Sequence, residues 1–184
     1  MDLNLLLNQK EEYKPMQPGN YSSSAVIEFG EKTAESVNMS LDFDLRKLVV
    51  KNGGTLHDIT FALFKQYSVQ GVLDNSIYVR KEGDFDLLLH AYLPFDVERY
   101  IIAHELGHYI LHARDNMCFA CYNGTGQIEV EAYNFALGFL MPEKLFTEQI
   151  RQTPDTDYLS FLFQVPKPLI EERKKTLPQT LPIT

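Results

Sequence analysis

The chain has 184 residues and a mass of 21.2 kDa, enough to bury one hydrophobic core without disulfides and cramped for two domains. Its 45% hydrophobic and 23% charged residues exclude an intrinsically disordered chain and predict a folded, soluble protein. The net charge of -8 and the pI near 5.1 disfavour direct binding to nucleic acid, because phosphate binding needs a concentrated Lys/Arg surface.

The N-terminal segment is predicted to be a flexible arm. Residues 1–10 lack the basic start and the long apolar stretch of a secretory signal. No run along the chain reaches the length of about 18 apolar residues that spans a bilayer. Pro, Gly, Ser and charged residues dominate Glu11–Ser24, which is typical of a mobile tether. We therefore predict an arm over residues 1–24, one domain over 25–184, and a cytoplasmic protein without membrane contact.

The next segments predict one short helix and a β-hairpin. Apolar residues recur with helical spacing over Leu41–Val50, and a pair of glycines follows. Strand-like runs follow at Ser76–Arg80 and Phe85–Tyr92, and the sequence KEGD between them is typical of a hairpin turn.

Two longer helices are predicted after the hairpin. One begins near Asp96, as a capping residue, and runs to about Ala113; its apolar residues lie almost all round, so it should be buried. The other runs from about Ile128 to Met141, before a proline. Gly107 and Gly138 lie inside these helices, where each costs about 1 kcal/mol relative to Ala. Either the two helix backbones approach closely or both glycines are simply tolerated.

The first of these helices carries the motif HExxH, at His104 to His108. Positions four apart share a helix face, so both imidazoles can reach one zinc ion with bonds of about 2.0–2.1 Å. Glu105 can then take a proton from a water molecule without being a ligand. The alternative is two polar residues satisfied inside a helical layer, but burying them without a bound ion is costly. We therefore predict a zinc site with Glu105 as general base.

A zinc hydrolase also needs a third protein ligand and an open fourth position. Glu129 and Glu131 lie two apart on the next predicted helix, so only one of them can face the metal. Spacing alone does not choose between them.

His112 and the two cysteines are weaker candidates for the third ligand. His112 lies four residues after His108, one turn further along the helix, so a supporting or packing role is favoured over ligation. Cys118 and Cys121 form a CxxC pair without a partner pair, which favours ordinary loop cysteines over a second metal site.

Three segments together resemble the ImmA/IrrE family of zinc metallopeptidases. They are Arg99–His112 (RYIIAHELGHYILH), Glu131–Ala136 (EAYNFA) and Phe139–Pro142 (FLMP). The resemblance is fainter at the hairpin and over Leu159–Arg173. One departure is Tyr133, which stands where the family commonly has Asn.

The resemblance implies a fold, a ligand set and a function. The implied fold is α+β, a mainly helical zincin-like domain with a small antiparallel β-hairpin or sheet packed against the HExxH helix. The implied zinc ligands are His104, His108 and Glu131, with Glu105 as general base. Similar family members often cleave helix-turn-helix repressors, so the expected partner is a cytoplasmic transcriptional repressor. The alternative functions are a catalytically inactive, zinc-containing binding module and a hydrolase of non-peptide amides.

Two features of peptide hydrolysis are left open by the sequence. An extended substrate could pair with an edge strand around Ile77–Val79. A hydrogen-bond donor must also stabilise the oxyanion that develops on the substrate carbonyl. The candidate donors are Arg99, Tyr100, Tyr109, Tyr133 and His112.

Overall fold

The computed structural model describes residues 21–59, 76–79, 84–112, 118–120 and 126–177. Over these ranges the fold is α+β and mainly helical, as predicted. The helices are α1 (Ser23–Ser36), α2 (Leu45–Lys51), α3 (Phe95–His112), α4 (Gln127–Leu140), α5 (Glu143–Gln152), α6 (Thr156–Phe163) and α7 (Lys167–Thr176). The strands are β1 (Gly54–Ile59), β2 (Ser76–Val79), β3 (Phe85–His90) and β4 (Cys118–Ala120).

The first two helices both begin at a side-chain cap. Ser22 accepts a hydrogen bond from the backbone N–H of Ala25 at 3.3 Å, and Asp44 accepts one from that of Lys47 at 3.0 Å. Such caps satisfy N–H groups that the first turn of a helix leaves unpaired. The predicted helix over 41–50 is therefore shorter, because Asp44 starts it. Most of the predicted arm, residues 1–20, lies outside the described residues, and residues 23 and 24 belong to α1.

Helix α1 packs directly on the backbone of α4. A Cβ built on Gly138 would overlap the carbonyl oxygen of Ile27 and lie 2.9 Å from its carbonyl carbon. A Cβ built on Gly30 would lie 2.9 Å from the backbone nitrogen of Phe139. Only glycine permits such proximity, so these two residues let the helices pack without intervening side chains.

The four strands form one mixed sheet in the order β1-β3-β2-β4. Strands β2 and β3 pair antiparallel, with Val79 opposite Phe85, as the predicted hairpin requires. Strand β4 also pairs antiparallel with β2. The prediction of a purely antiparallel hairpin or sheet needs correction, because β1 pairs in parallel with β3. Parallel neighbours cannot be joined by a tight turn, so the hairpin pattern gave no sign of β1.

The prediction that Ile77–Val79 is an edge strand available to an extended substrate is wrong for most of this segment. Strand β2 lies between β3 and β4, and the pairing with β4 runs from Ser76 to Tyr78. Backbone groups already paired on both sides cannot receive another strand. Among the described strands, β1 and β4 form the edges.

Helix α3 lies against the sheet, as predicted for the HExxH helix. The Tyr109 ring lies 4.3 Å from the Phe85 ring of β3, centroid to centroid. On β3, residues alternate between buried and partly exposed, and Phe85, Leu87 and Leu89 are fully buried. The predicted cap Asp96 lies within the first turn, because α3 begins one residue earlier, at Phe95.

Within the described residues, every helix is too short or too polar to cross a lipid bilayer.

Candidate metal centre

The candidate site lies where α4 passes close to α3. A Cβ built on Gly107 would lie 3.1 Å from the backbone oxygen of Ala132 and 3.1 Å from the ring of Phe135. The predicted close approach therefore occurs at Gly107, whereas Gly138 contacts α1 instead. Because no side chain separates the helices at Gly107, side chains one turn away can reach across to α4.

Three side chains converge beside this approach. The Nε2 atoms of His104 and His108 lie 3.1 Å apart. The Glu129 carboxylate lies 3.2 Å from Nε2 of His104, through Oε2, and 3.4 Å from Nε2 of His108, through Oε1. His104 and His108 are 9% and 1% exposed, and the side chain of Glu129 is 23% exposed. The cluster is therefore mostly buried, with its open side at Glu129.

The spacing of these three groups fits a divalent metal ion. Tetrahedral zinc places neighbouring ligand atoms about 3.3 Å apart, since its bonds to nitrogen and oxygen are about 2.0–2.1 Å long. The three separations here run from 3.1 to 3.4 Å. Two imidazoles and one carboxylate are also a donor set that suits zinc and related metals. The side chains of His104, His108 and Glu129 could thus hold one ion with little movement.

Glu131, the third ligand implied by the resemblance, lies elsewhere. Its Oε2 is 2.9 Å from Nε2 of His112, and Gln127 donates to its Oε1 at 3.4 Å. Residues two apart on a helix point about 200° apart, so Glu129 and Glu131 face different neighbours. The structure therefore differs from the implied ligand set, because Glu129 is the carboxylate that reaches both histidines of the motif.

A signal for this arrangement was present in the sequence. His104, His108 and His112 follow one another at intervals of four and form one stripe on α3. Only the first two belong to the HExxH motif, so a buried His112 needs a partner of its own. Glu131 supplies that partner.

The electrostatics of Glu129 suit a metal ligand. Burial raises the pKa of its carboxyl, but the hydrogen bonds with His104 and His108 lower it further, and the net pKa is about 2. The group is therefore an anionic carboxylate throughout the physiological range.

Glu105 follows His104 directly on α3 and is fully buried, at 0% exposure. Burial excludes bulk water from this carboxylate. As a general base, Glu105 would need a water molecule admitted to the site within hydrogen-bond reach of its carboxylate.

Two of the oxyanion candidates point away from the cluster. The Arg99 guanidinium is 5% exposed and donates to the backbone oxygen of Phe43 at 2.6 Å. Tyr109 packs on Phe85 of the sheet. A third candidate, His112, is engaged with the carboxylate described above.

One tyrosine contacts the cluster, and a second tyrosine packs against the first. The Tyr100 ring lies 5.7 Å from the His104 ring and 6.2 Å from the Tyr133 ring, centroid to centroid. Burial, and then the negative charge of Glu172, raise the pKa of the Tyr133 phenol. Its hydroxyl therefore keeps its proton at neutral pH and can act as a donor.

One further histidine and one of the two cysteines belong to strands of the sheet. His57 is largely exposed and lies 2.8 Å from the carboxylate of Asp86. Cys118 begins β4, and Cys121 lies outside the described residues.

Sequence comparison gives the family. The profile of the family Peptidase_M78, described as an IrrE N-terminal-like domain, matches residues 75–175. This is more than half of the chain, and it contains every residue of the candidate metal centre together with β2, β3, β4 and α3 to α6. Helices α1 and α2 and strand β1 precede the matched region. No protein of curated function matches the chain. The chain therefore belongs to the ImmA/IrrE family of peptidases.

Proposed function

We propose that this protein is a zinc-dependent metalloendopeptidase. His104, His108 and Glu129 hold the zinc ion, and Glu105 is the general base. The observation that supports this most strongly is the convergence of two imidazole nitrogens of the HExxH helix α3 with one carboxylate of α4, at 3.1–3.4 Å, in a chain from a peptidase family.

The side chains divide the work of hydrolysis. When bound, zinc supplies Lewis-acid activation of a water molecule and of the peptide carbonyl. The Glu105 carboxylate accepts the proton of the attacking water and later donates it to the nitrogen of the leaving amine. The two histidines offer unprotonated Nε2 atoms to the ion. Glu129 contributes a negative charge that would partly neutralise it.

Tyr133 is the proposed donor to the substrate carbonyl oxygen. It lies one turn after Glu129 on α4, and its ring lies beside that of Tyr100, which contacts His104. A protonated phenol at this position can donate a hydrogen bond as negative charge develops on the carbonyl oxygen.

The proposed substrate is a cytoplasmic regulatory protein, such as a helix-turn-helix repressor. The choice of substrate rests on the family resemblance. The net charge of -8 supports it, because a DNA-binding repressor is usually basic and would be attracted to an acidic enzyme.

The test joins metal analysis to one conservative variant. Purified wild-type protein should contain one zinc per chain and cut a basic helix-turn-helix repressor, with fragments identified by mass spectrometry. Glu105→Gln should keep the zinc and lose the cleavage, because the amide cannot accept the proton. Cleavage at the wild-type rate by Glu105→Gln would contradict the assigned role.

The complete burial of Glu105 supports a second candidate, a zinc-containing regulatory module that binds its partner without cutting it. In that case Glu105→Gln would keep full biological activity and the wild type would yield no fragments. Small amide substrates in the same assay would reveal a hydrolase of non-peptide bonds.

A further inference from the structure

A second set of buried polar groups lies directly behind the candidate metal centre. Nδ1 of His108 lies 3.2 Å from Nδ1 of His112, and Nε2 of His112 lies 2.9 Å from Oε2 of Glu131. The three residues are 1%, 4% and 1% exposed, respectively. They form a continuous hydrogen-bond chain, which starts at the His108 ring, whose Nε2 is a proposed ligand atom, and ends at the Glu131 carboxylate.

The number of protons on each ring determines which group donates in each bond of this hydrogen-bond chain. A neutral imidazole carries a single N–H, so a His108 ring that offers Nε2 to a metal must carry its proton on Nδ1. That N–H can donate only to a bare Nδ1 of His112. His112 then carries its own proton on Nε2, where the carboxylate of Glu131 accepts it. One carboxylate therefore specifies the tautomers of both rings.

The other histidine ligand has no such support. Among the described residues, the buried Nδ1 of His104 has no hydrogen-bond partner. The two rings that face the centre are therefore held differently. His108 is fixed through its second nitrogen, whereas His104 is fixed by packing, including the contact with the Tyr100 ring.

We propose that His112 and Glu131 are positioning residues that hold His108 in the tautomer with a free Nε2 and thereby set the affinity for the metal. This inference rests on the proposed metal site. Partners of this kind orient a ligating imidazole and raise its basicity, and their loss typically lowers metal affinity about 10- to 100-fold.

The experiment measures zinc dissociation constants in the full-length chain by competition with a chromophoric chelator. Glu131→Gln, which is nearly isosteric, and His112→Phe, which removes both nitrogens but fills the space, should each weaken zinc binding by about 10- to 100-fold. Because His112 and Glu131 act on His108 through the same hydrogen-bond chain, the double variant should lose little more zinc affinity than either single variant. Additive losses of zinc affinity would overturn the proposal that both residues act through one hydrogen-bond chain.

Two controls separate positioning from general damage. Thr33→Val alters another buried polar residue, whose hydroxyl donates to the backbone oxygen of Phe29, and should leave the zinc affinity unchanged. The visible spectrum of the cobalt-substituted protein reports on ligand geometry, so it should change in Glu131→Gln and not in Thr33→Val. Glu131→Gln keeps the test available if His112→Phe does not fold.

The outcomes separate this inference from the proposed function. Wild-type zinc binding with an unchanged dissociation constant in both variants would overturn the positioning role and leave the proposed function intact. A folded wild-type protein that binds no zinc would overturn both.

Discussion

The contact between α1 and α4 can be tested by a single added methyl group, in Gly138→Ala. The new Cβ would overlap the carbonyl oxygen of Ile27 and lie 2.9 and 3.1 Å from its carbonyl carbon and Cα. All three atoms belong to the backbone, so no side-chain rotation can relieve the overlap. Helix α1 would have to move away from α4.

The expected loss of stability follows from two opposing effects. Overpacking of a well-packed interior costs typically about 1–3 kcal/mol, and a clash with rigid backbone belongs at the upper end. Alanine is favoured over glycine inside a helix by about 1 kcal/mol, which offsets part of this. We therefore expect the free energy of unfolding to fall by about 2 kcal/mol. For a chain of this size, Tm should fall by about 4–8 °C.

Thermal and urea unfolding, followed by circular dichroism, measure the effect. Gly126→Ala is the matched control, because a Cβ there meets no atom within 4 Å. Its change should stay below about 1 kcal/mol, the difference between glycine and alanine at a helix N-cap. A higher Tm for Gly138→Ala than for the wild type would refute the direct packing of the two helix backbones.

Three further predictions concern the metal, pH and a buried ion pair. Removing the metal with a chelator should lower Tm, because a ligand present at about 1,000 times its dissociation constant stabilises the fold by about 4 kcal/mol; an unchanged Tm would contradict a metal bound to the folded state. In the metal-free protein the pKa of Glu129 is depressed to about 2, so its contribution to stability is present above about pH 4.5 and lost as the pH falls toward 2. Urea unfolding at pH 3 and pH 6 should show this loss, and Glu129→Gln should reduce it. Arg173 is 1% exposed, donates to the Met141 backbone oxygen at 2.8 Å and pairs with Glu31 of α1. Arg173→Met should therefore cost about 3–5 kcal/mol in urea unfolding, with Glu31→Gln costing less; equal stability of wild type and Arg173→Met would argue against the pair.

The sequence predicted α3 and α4 closely because both are long and bury most of their surface. Each observed end lies within about one residue of its predicted position, as strongly periodic segments allow. The pairing of β2 with β3 was predictable for a similar reason, since only five residues separate Val79 from Phe85 along the chain. Local patterns were sufficient wherever the partner in space was also near in sequence.

Helix α1 was missed because its buried face does not look apolar. Gly30 and Thr33 occupy that face together with Val26, Ile27 and Ala34. Small residues are required there by the close packing on α4, and they weaken the hydrophobic pattern that sequence analysis depends on. Strand β1 was missed because its parallel pairing with β3 is not local.

The choice between Glu129 and Glu131 shows the limit of motif-based reasoning at a site. Both residues lie in the first turns of α4, and resemblance favoured the one inside the better-matching segment. In the structure, each carboxylate has a histidine partner on α3, and the exposures differ: Glu131 is 1% exposed, whereas the side chain of Glu129 is 23% exposed. A catalytic metal needs one open coordination position, which favours the carboxylate nearer to solvent as ligand.

The close approach at Gly107 brings both Glu129 and Glu131 to the histidines of α3. His104, His108 and His112 line one stripe of α3, and the two carboxylates reach that stripe only because α4 passes within contact distance of Gly107. A larger residue at Gly107 would displace α4 and withdraw Glu129 and Glu131 together. The glycine within HExxH thus lets one helix supply both the proposed ligand Glu129 and the proposed support of His108, through Glu131. An offset of two residues on α4 is sufficient to direct Glu129 to His104 and His108, and Glu131 to His112.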